Sequence, residues 1–252
     1  MIEQLDSRAS QPGHQASEMN TFNSKSGIGR AIANTLHENP ALVPLIVLVT
    51  ATAIFSLLIG DRFFSAFALT LILQQVTIIG IVACAQSLVI LTAGIDLSVG
   101  AIMVLSSVIM GKLTFDFGLP PFFAVFCGLV CGTLVGGVNG ALVAFFRLPP
   151  FIVTLGMWQI ALAANFLYSG SEVIRSQDIS ANAPFLQFFG QTVGVGGAVF
   201  TFGVMFMLIL VGVMSYILSQ TAWGRHVYAV GDDPEAAELS GVNVKITLLS
   251  VY

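Results

Sequence analysis

The chain has 252 residues, of which 56% are hydrophobic and only 9% are charged. Soluble domains carry about 25% charged residues, so this chain cannot cover a folded surface with groups that favour water. Its net charge of −4 provides no basic face, and we therefore expect no nucleic-acid partner. The composition predicts an integral membrane protein whose main surroundings are the lipid bilayer.

The N-terminal segment, residues 1–40, differs in composition from the rest of the chain. It holds seven charged residues and is rich in Ser, Asn, Gln and Gly. Such a composition is typical of a solvated, disordered leader. The pattern of a cleavable signal peptide is missing from its beginning, so the first apolar run should remain in the mature protein as a membrane anchor.

Apolar runs divide residues 41–252 into a transmembrane domain, since about 20 apolar residues cross the hydrocarbon core. The uncharged run 63–95 exceeds one span, and we place an interfacial or half-inserted helix ahead of a span at 74–92. A polar external loop is expected at 169–195 and a charged loop at 219–245. The six predicted spans are 41–60, 74–92, 97–113, 122–146, 151–168 and 196–218.

The last seven residues, 246–252, form a further apolar run that is about a third of a span. They indicate the start of a seventh span, in which case the chain is a piece of a longer protein. The alternative is a short amphipathic tail that lies on the membrane surface.

Lysine and arginine predict the orientation, because they concentrate in cytoplasmic loops. Six spans place the leader and the loop 219–245 on one side, together with Arg147. That side holds six of the nine basic residues, and the other side holds Arg62, Lys112 and Arg175. The split predicts a cytoplasmic N-terminus.

Four glycines of the fourth span recur at every fourth position and therefore share one helix face. They are Gly128, Gly132, Gly136 and Gly140. Small residues allow helix backbones to approach closely in lipid, so this span is predicted to lie at the centre of the bundle. A gating hinge is the alternative.

We find no catalytic constellation in the sequence. Motifs for a nucleophilic serine, a zinc protease or a phosphate-binding loop are missing, and the three cysteines match no metal-binding spacing. The chain is therefore predicted to be a transporter and not an enzyme, to need no cofactor, and to rely on another subunit for any binding of ATP.

Asp96 lies between the second and third predicted spans. An acid near membrane depth is a functional candidate, as a proton relay or a ligand. Asp is also a preferred N-cap, and the predicted helix 97–113 begins directly after it. We interpret Asp96 as a helix cap.

Amide side chains within the predicted spans must find hydrogen-bond partners. Each could join two helices, or it could line a path for a hydroxyl-rich solute such as a sugar, because amides both donate and accept. The candidates for the substrate path are Gln86, Asn139, Gln159 and Asn165.

The charged loop 219–245 contains a short helix with both ends marked. Asp233 can cap it, Pro234 suits its first turn and Gly241 can close it. Such a helix could dock on a soluble motor, or it could be an ordinary surface connection. The residues concerned are Asp233, Pro234, Glu235, Ala236, Ala237, Glu238 and Gly241.

Three blocks of sequence together resemble a known family. They read Gly-Ile-Asp-Leu-Ser-Val-Gly at 94–100, Arg-Leu-Pro-Pro-Phe-Ile-Val-Thr-Leu-Gly at 147–156, and Gly-Arg-His-Val-Tyr-Ala-Val-Gly at 224–231 followed by Glu-Ala-Ala-Glu-Leu-Ser-Gly-Val-Asn at 235–243. In this order they are similar to the permease subunits of bacterial ABC importers for ribose, xylose, fructose and related sugars. The resemblance covers roughly residues 41–252.

The resemblance implies an all-α polytopic transmembrane helix bundle in the bacterial inner membrane. It also implies three partners: a second permease copy or a paralogue, a cytoplasmic ABC ATPase, and a periplasmic sugar-binding protein. The region 235–241 would couple to the ATPase. Family members continue beyond the position of Tyr252, which favours the interpretation as a fragment. Alternatives are an ABC permease for an amino acid, a nucleoside or an autoinducer, a secondary carrier, and a membrane-embedded enzyme.

Overall fold

The structure is a computed structural model that describes residues 34–39, 41–195 and 198–252. Most of the predicted leader therefore lies outside the described residues, and residues 34–38 are helical. The chain forms two compact units, Met1–Phe64 and Ser65–Tyr252.

The first unit contains helix α1, Leu42–Ile59, followed by a 3-10 turn at Gly60–Arg62. Helix α1 coincides with the predicted span 41–60. Within the described part of the chain none of its side chains is buried, and apolar residues occupy every face. A helix that is apolar all round is suited to lipid.

The second unit contains the remaining helices. The long ones are α2 (Ala66–Leu91), α3 (Val99–Phe115), α4 (Pro121–Ala144), α5 (Pro150–Ser169) and α7 (Phe202–Gln220). The shorter ones are α6 (Ser176–Asn182), α8 (Ala222–Asp232), α9 (Pro234–Leu239) and α10 (Val244–Val251). Among the described residues, α1, α2, α4, α5 and α7 are long and apolar enough to cross a membrane, and α3 is a shorter apolar helix.

Helix α2 corrects the prediction of an interfacial helix ahead of a separate span. It runs without interruption for 26 residues, and the hydroxyl of Ser65 caps its start by accepting from the Ala68 N–H at 3.2 Å. No proline interrupts this run. A helix of this length extends about 39 Å, so it is long enough to cross the bilayer with a tilt.

The segment between α5 and α7 is more ordered than the predicted loop 169–195. It contains α6, a 3-10 helix at Pro184–Gly190, and a hairpin of β1 (Thr192–Val195) and β2 (Ala198–Thr201). The strands are antiparallel, with Thr192 opposite Thr201. The helix of the last predicted span therefore begins at Phe202 and not at 196. The Thr201 hydroxyl caps this start by accepting from the Val204 N–H.

Helix α4 packs against α3, α5 and α10, and its glycines make two of these contacts possible. A Cβ at Gly132 would lie 3.1 Å from the Ser106 hydroxyl of α3, and one at Gly140 would lie 3.1 Å from Leu249 of α10. The glycine face thus receives α3 along one half and α10 along the other. This contact places α10 against the bundle, in contrast to a free surface tail.

Contacts at the helix ends follow the alternation expected of successive spans. The Thr154 hydroxyl at the start of α5 donates to the Ile95 carbonyl at 3.1 Å. At the opposite end of α3, the Lys112 ammonium lies 2.9 Å from Asp116 and 2.6 Å from Glu172. The loop 92–98 and the start of α5 therefore share one end of the bundle, and residues 112–116 and 172 share the other.

Candidate functional site

Helix α9 is short and firmly capped. The Asp233 carboxylate accepts from the N–H groups of Glu235 and Ala236 at 2.9 and 3.0 Å. Pro234 occupies its first turn, and Gly241 follows its end with φ +86°, a conformation that favours glycine. These capping contacts are the ones the sequence predicted. They make α9 a rigid unit between two longer segments.

The two alanines of α9 face different surroundings. Ala236 is exposed, whereas Ala237 is 4% exposed and faces inward. Ala237 is one of the residues predicted to belong to a docking helix, but its burial means that it presents no exposed surface to a partner. Its methyl group lets α9 pack closely on its own chain, and a large side chain there would disturb the fold.

The outward face of α9 carries Glu235 and Leu239, which are four residues apart and share one side. The Leu239 side chain is 91% exposed, and charged residues flank it along the chain at Asp233, Glu238 and Lys245. The apolar Leu239 side chain is therefore exposed to water among charged neighbours. Glu238 is also exposed, so the surface is acidic with one apolar projection.

A groove of about 770 Å³ separates α9 from the turn between α4 and α5. Arg147 and Leu148 to Pro150 form one wall, and Glu235, Glu238 and the segment 241–245 form the other. Arg147 has φ +54°, which is uncommon for a residue with a side chain. Two of the three sequence blocks that carry the family resemblance thus meet at one groove.

Asp96, which is half-buried, begins a hydrogen-bonded chain that leads inward at the start of α3. Its Oδ1 accepts from the Ser98 N–H at 2.7 Å and from the Ser98 hydroxyl at 2.6 Å. The Ser98 hydroxyl in turn accepts from Asn139 Nδ2 at 2.8 Å, and both Ser98 and Asn139 are fully buried. This chain fixes the loop to α4.

The N-cap interpretation of Asp96 is wrong in position. Helix α3 begins at Val99, so Ser98 is the residue that precedes it. Asp96 lies two residues earlier and turns the chain into the helix through its bond to the Ser98 N–H, a turn that Asp favours. A small cavity beside it is lined by Gln86, Gly136 and Tyr252.

The four amides proposed for a substrate path lie in different surroundings. Gln86 lines the cavity beside Asp96, Gln159 is exposed on α5, and Asn139 is buried against Ser98. Asn165 is partly buried, and its Oδ1 has no hydrogen-bond partner among the described residues. Asn139 has the features of a structural contact between helices, and the role of the others stays a prediction.

Metal binding finds no support among the described residues, where no group of three or more His, Cys, Asp or Glu side chains could hold an ion. Cys84, Cys127 and Cys131 are free and half-buried.

Three residues lie within the quoted family blocks, but the sequence assigned them no role. Thr154 follows a proline-rich turn, Gly231 is the last residue but one of α8, and Leu239 ends α9. An apolar residue four positions after Glu235 on a capped helix was the signal for Leu239. No local signal in the sequence distinguishes Gly231 or Thr154, because their contacts are with Leu91 and Ile95, far away along the chain.

Comparison with known proteins identifies the family. Residues 68–252 match the family described as the permease component of the branched-chain amino acid transport system. The chain belongs to this permease family. It is therefore a multi-pass membrane protein with an all-α bundle, as predicted, and its family is one of transport proteins and not of enzymes.

Sugar permeases are among its relatives. The chain is 66% identical over 217 residues to a fructose import permease of Rhizobium meliloti, covering 86% of this chain and 60% of that protein. It is 32% identical over 219 residues to a ribose import permease of Escherichia coli, covering 86% and 65%. A D-allose transport permease of Escherichia coli is 33% identical over 210 residues, with 82% and 61% covered.

The predicted resemblance to sugar-importer permeases is confirmed by these relatives. The chain spans less than two thirds of the length of each of the three. No solved structure matches it.

Proposed function

We propose that this chain belongs to the transmembrane permease subunit of an ABC transporter that imports a monosaccharide across the bacterial inner membrane. The observation that carries the proposal is the 66% identity to a fructose import permease, which makes fructose the first candidate solute. Relatives named for ribose and D-allose support the wider class of monosaccharides.

The energy for import would come from a separate ATPase that binds ATP and docks on α9. The rigid capped helix, its acidic face and the exposed Leu239 support this assignment. A periplasmic sugar-binding protein would deliver the solute at the opposite end of the bundle. A second permease copy or a paralogue would complete the membrane part.

The mechanism would be alternating access. ATP binds differently to the two states of the ATPase, and this difference can bias the permease between outward-facing and inward-facing states. Helix α9 would transmit that bias, because its capped ends resist fraying and its buried Ala237 keeps it close to the chain.

An amino acid is the second candidate solute, since the matching family is described by branched-chain amino acid transport. Measurement of solute uptake distinguishes a sugar permease from an amino acid permease. The complete reading frame that encodes this chain, with its ATPase and binding protein in vesicles, should take up labelled fructose when ATP is present. Uptake that leucine abolishes and excess fructose does not would contradict the sugar assignment.

The docking surface has its own test. Leu239→Arg should reduce recovery of the ATPase with the permease by about ten-fold or more, because a buried, unpaired charge in an interface costs several kcal/mol. Leu239→Met should keep recovery near the unchanged protein. Val173→Arg is the matched control, since Val173 is 86% exposed near the Lys112–Glu172 end of the bundle. Equal recovery for Leu239→Arg and Val173→Arg would place the coupling surface elsewhere.

A further inference from the structure

The helices of the second unit form two packing groups. Helices α2 and α7 pack together with β2, and α3, α4, α5 and α10 pack together, while the 3-10 helix at Pro184–Gly190 contacts both α7 and α4. We call them the α2 group and the α4 group. The loop 92–98 is the covalent connection from α2 to α3 and thus from one group to the other. Helix α8 contacts members of both groups, namely α2, α7 and α10.

The α4 group holds this loop by hydrogen bonds from two helices. Asn139 of α4 donates to the Ser98 hydroxyl, and Thr154 of α5 donates to the Ile95 carbonyl at 3.1 Å. Asn139, Ser98 and Thr154 are all fully buried. Buried polar contacts of this kind are costly to break, because each lost partner leaves an unsatisfied group. These bonds attach the loop to the α4 group.

Helix α8 holds the beginning of the same loop by close contact. A Cβ built on Gly231 would overlap the Leu91 carbonyl and would lie 3.3 Å from the Thr92 Cα. Only glycine permits this approach between α8 and the end of α2. Asp233, two residues later, caps α9, so the docking helix is joined to this contact without a flexible linker.

Backbone hydrogen bonds fix the conformation at the start of the loop 92–98. The Gly94 N–H donates to the Val89 carbonyl at 2.9 Å, and the Ala93 N–H donates to the Ile90 carbonyl at 2.9 Å. These two bonds close the end of α2 and hold Ala93 at φ +56°, where glycine is the usual residue. The surrounding contacts keep an alanine in a conformation it seldom adopts.

We propose that the loop 92–98 is the joint through which movement of α9 reaches both helix groups, with Gly231 and Thr154 as its positioning residues. This inference rests on the proposed function, because it takes α9 as the helix that docks on the ATPase. Gly231 connects the joint to α8 and α9, and Thr154 connects it to α5. Both residues are assigned a positioning role through these contacts, and not a role in binding the solute or the ATPase.

The test compares Gly231→Ala with Gly212→Ala in the complete permease, reconstituted with its ATPase and binding protein. A Cβ at Gly212 meets nothing within 4 Å among the described residues. For Gly231→Ala we expect normal recovery of the ATPase, but fructose transported per ATP should fall about ten-fold, within the usual range of coupling between sites. For Gly212→Ala the ratio should not change. An unchanged ratio in Gly231→Ala overturns the proposal.

Thr154→Val tests the same proposal if the Gly231→Ala permease fails to insert into the membrane or to bind the ATPase. It removes, with little change in volume, the hydroxyl that bonds the Ile95 carbonyl at 3.1 Å and the Pro150 carbonyl of its own helix at 2.9 Å. We expect fewer fructose molecules per ATP, with normal ATPase recovery and restoration by Thr154→Ser. A normal number of fructose molecules transported per ATP in Thr154→Val refutes the proposal that the loop 92–98 is the joint. Failure of the proposed function is distinguishable, because then the unchanged protein and Gly212→Ala would also lack uptake driven by ATP.

Discussion

Asp96 orients the start of α3 through two hydrogen bonds to one residue. The Ser98 N–H and hydroxyl both donate to Asp96 Oδ1, and the fully buried Asn139 donates to the same hydroxyl. An amide oxygen can replace a carboxylate oxygen as the acceptor of these bonds. The geometry therefore requires an acceptor at position 96, and it assigns no separate need for the negative charge.

We predict that Asp96→Asn retains uptake and stability, and that Asp96→Ala lowers the free energy of unfolding by about 1–3 kcal/mol, because the buried Ser98 N–H loses its acceptor. Denaturation of the purified permease in detergent measures the difference. Asp178→Ala, which changes an exposed acid of α6, is the control and should have no measurable effect. If Asp96→Asn folds normally but lacks uptake, the charge itself is required.

Local chemistry made the caps of α9 predictable, since Asp233, Pro234 and Gly241 each favour one position at a helix end. The same reasoning placed the cap of α3 two residues early. Ser98 precedes α3 but makes no side-chain capping bond, because its hydroxyl bonds Asp96 and Asn139, the latter 41 positions away. Sequence spacing alone does not reveal such a distant partner.

Helix α4 brings α3 and α10 together because its glycines remove the side chains between backbones. Gly136 and Gly137 are neighbours in sequence but face different surroundings. A Cβ at Gly136 would overlap the Tyr252 carbonyl, whereas one at Gly137 meets nothing within 4 Å of the described residues. The glycine at every fourth residue predicted this central role of α4. The pattern alone did not reveal which helix packs against each glycine.

This difference gives a matched test of the packing. Gly136→Ala should lower the free energy of unfolding by about 1–3 kcal/mol, the usual cost of inserting volume into a packed contact. Gly137→Ala should leave stability unchanged or raise it slightly, because alanine favours helix more than glycine does. Unfolding of both variants in mixed detergent measures the effect. Equal stability of the two would show that α10 does not depend on a close approach to α4.

Helix α8 was absent from the predicted loop 219–245, and tertiary contacts explain why. Its residues are only moderately apolar, and the side that packs inward carries Gly224, Val227 and Val230. A prediction based on long apolar runs detects membrane spans well, because hydrocarbon demands about 20 such residues. Short amphipathic helices at the membrane boundary do not give that signal. The same limit applies to α6 and to the β1–β2 hairpin.

At the scale of the whole molecule, the end contacts of the second unit fit the predicted arrangement of loops. The loop 92–98, the turn at Arg147 and helix α9 lie towards one end, and Glu172 lies with Lys112 at the other. Arg147 of the turn and Arg225 and Lys245 of the loop 219–245 belong to the first end, against Lys112 and Arg175 at the other, and this excess of basic residues favours the cytoplasm for the first end. The orientation in the membrane follows from charge and stays a prediction.

We predict that Leu239 faces the cytoplasm and Val173 the periplasm. Both side chains are more than four-fifths exposed, at 91% and 86%, so burial does not bias their labelling. In a background with Cys84, Cys127 and Cys131 replaced, Val173→Cys should react with an impermeant thiol reagent in cells whose inner membrane is intact. Leu239→Cys should react only after that membrane is permeabilised. The opposite pattern would invert the orientation and move the proposed ATPase surface to the outer side, where no ATP is available to it.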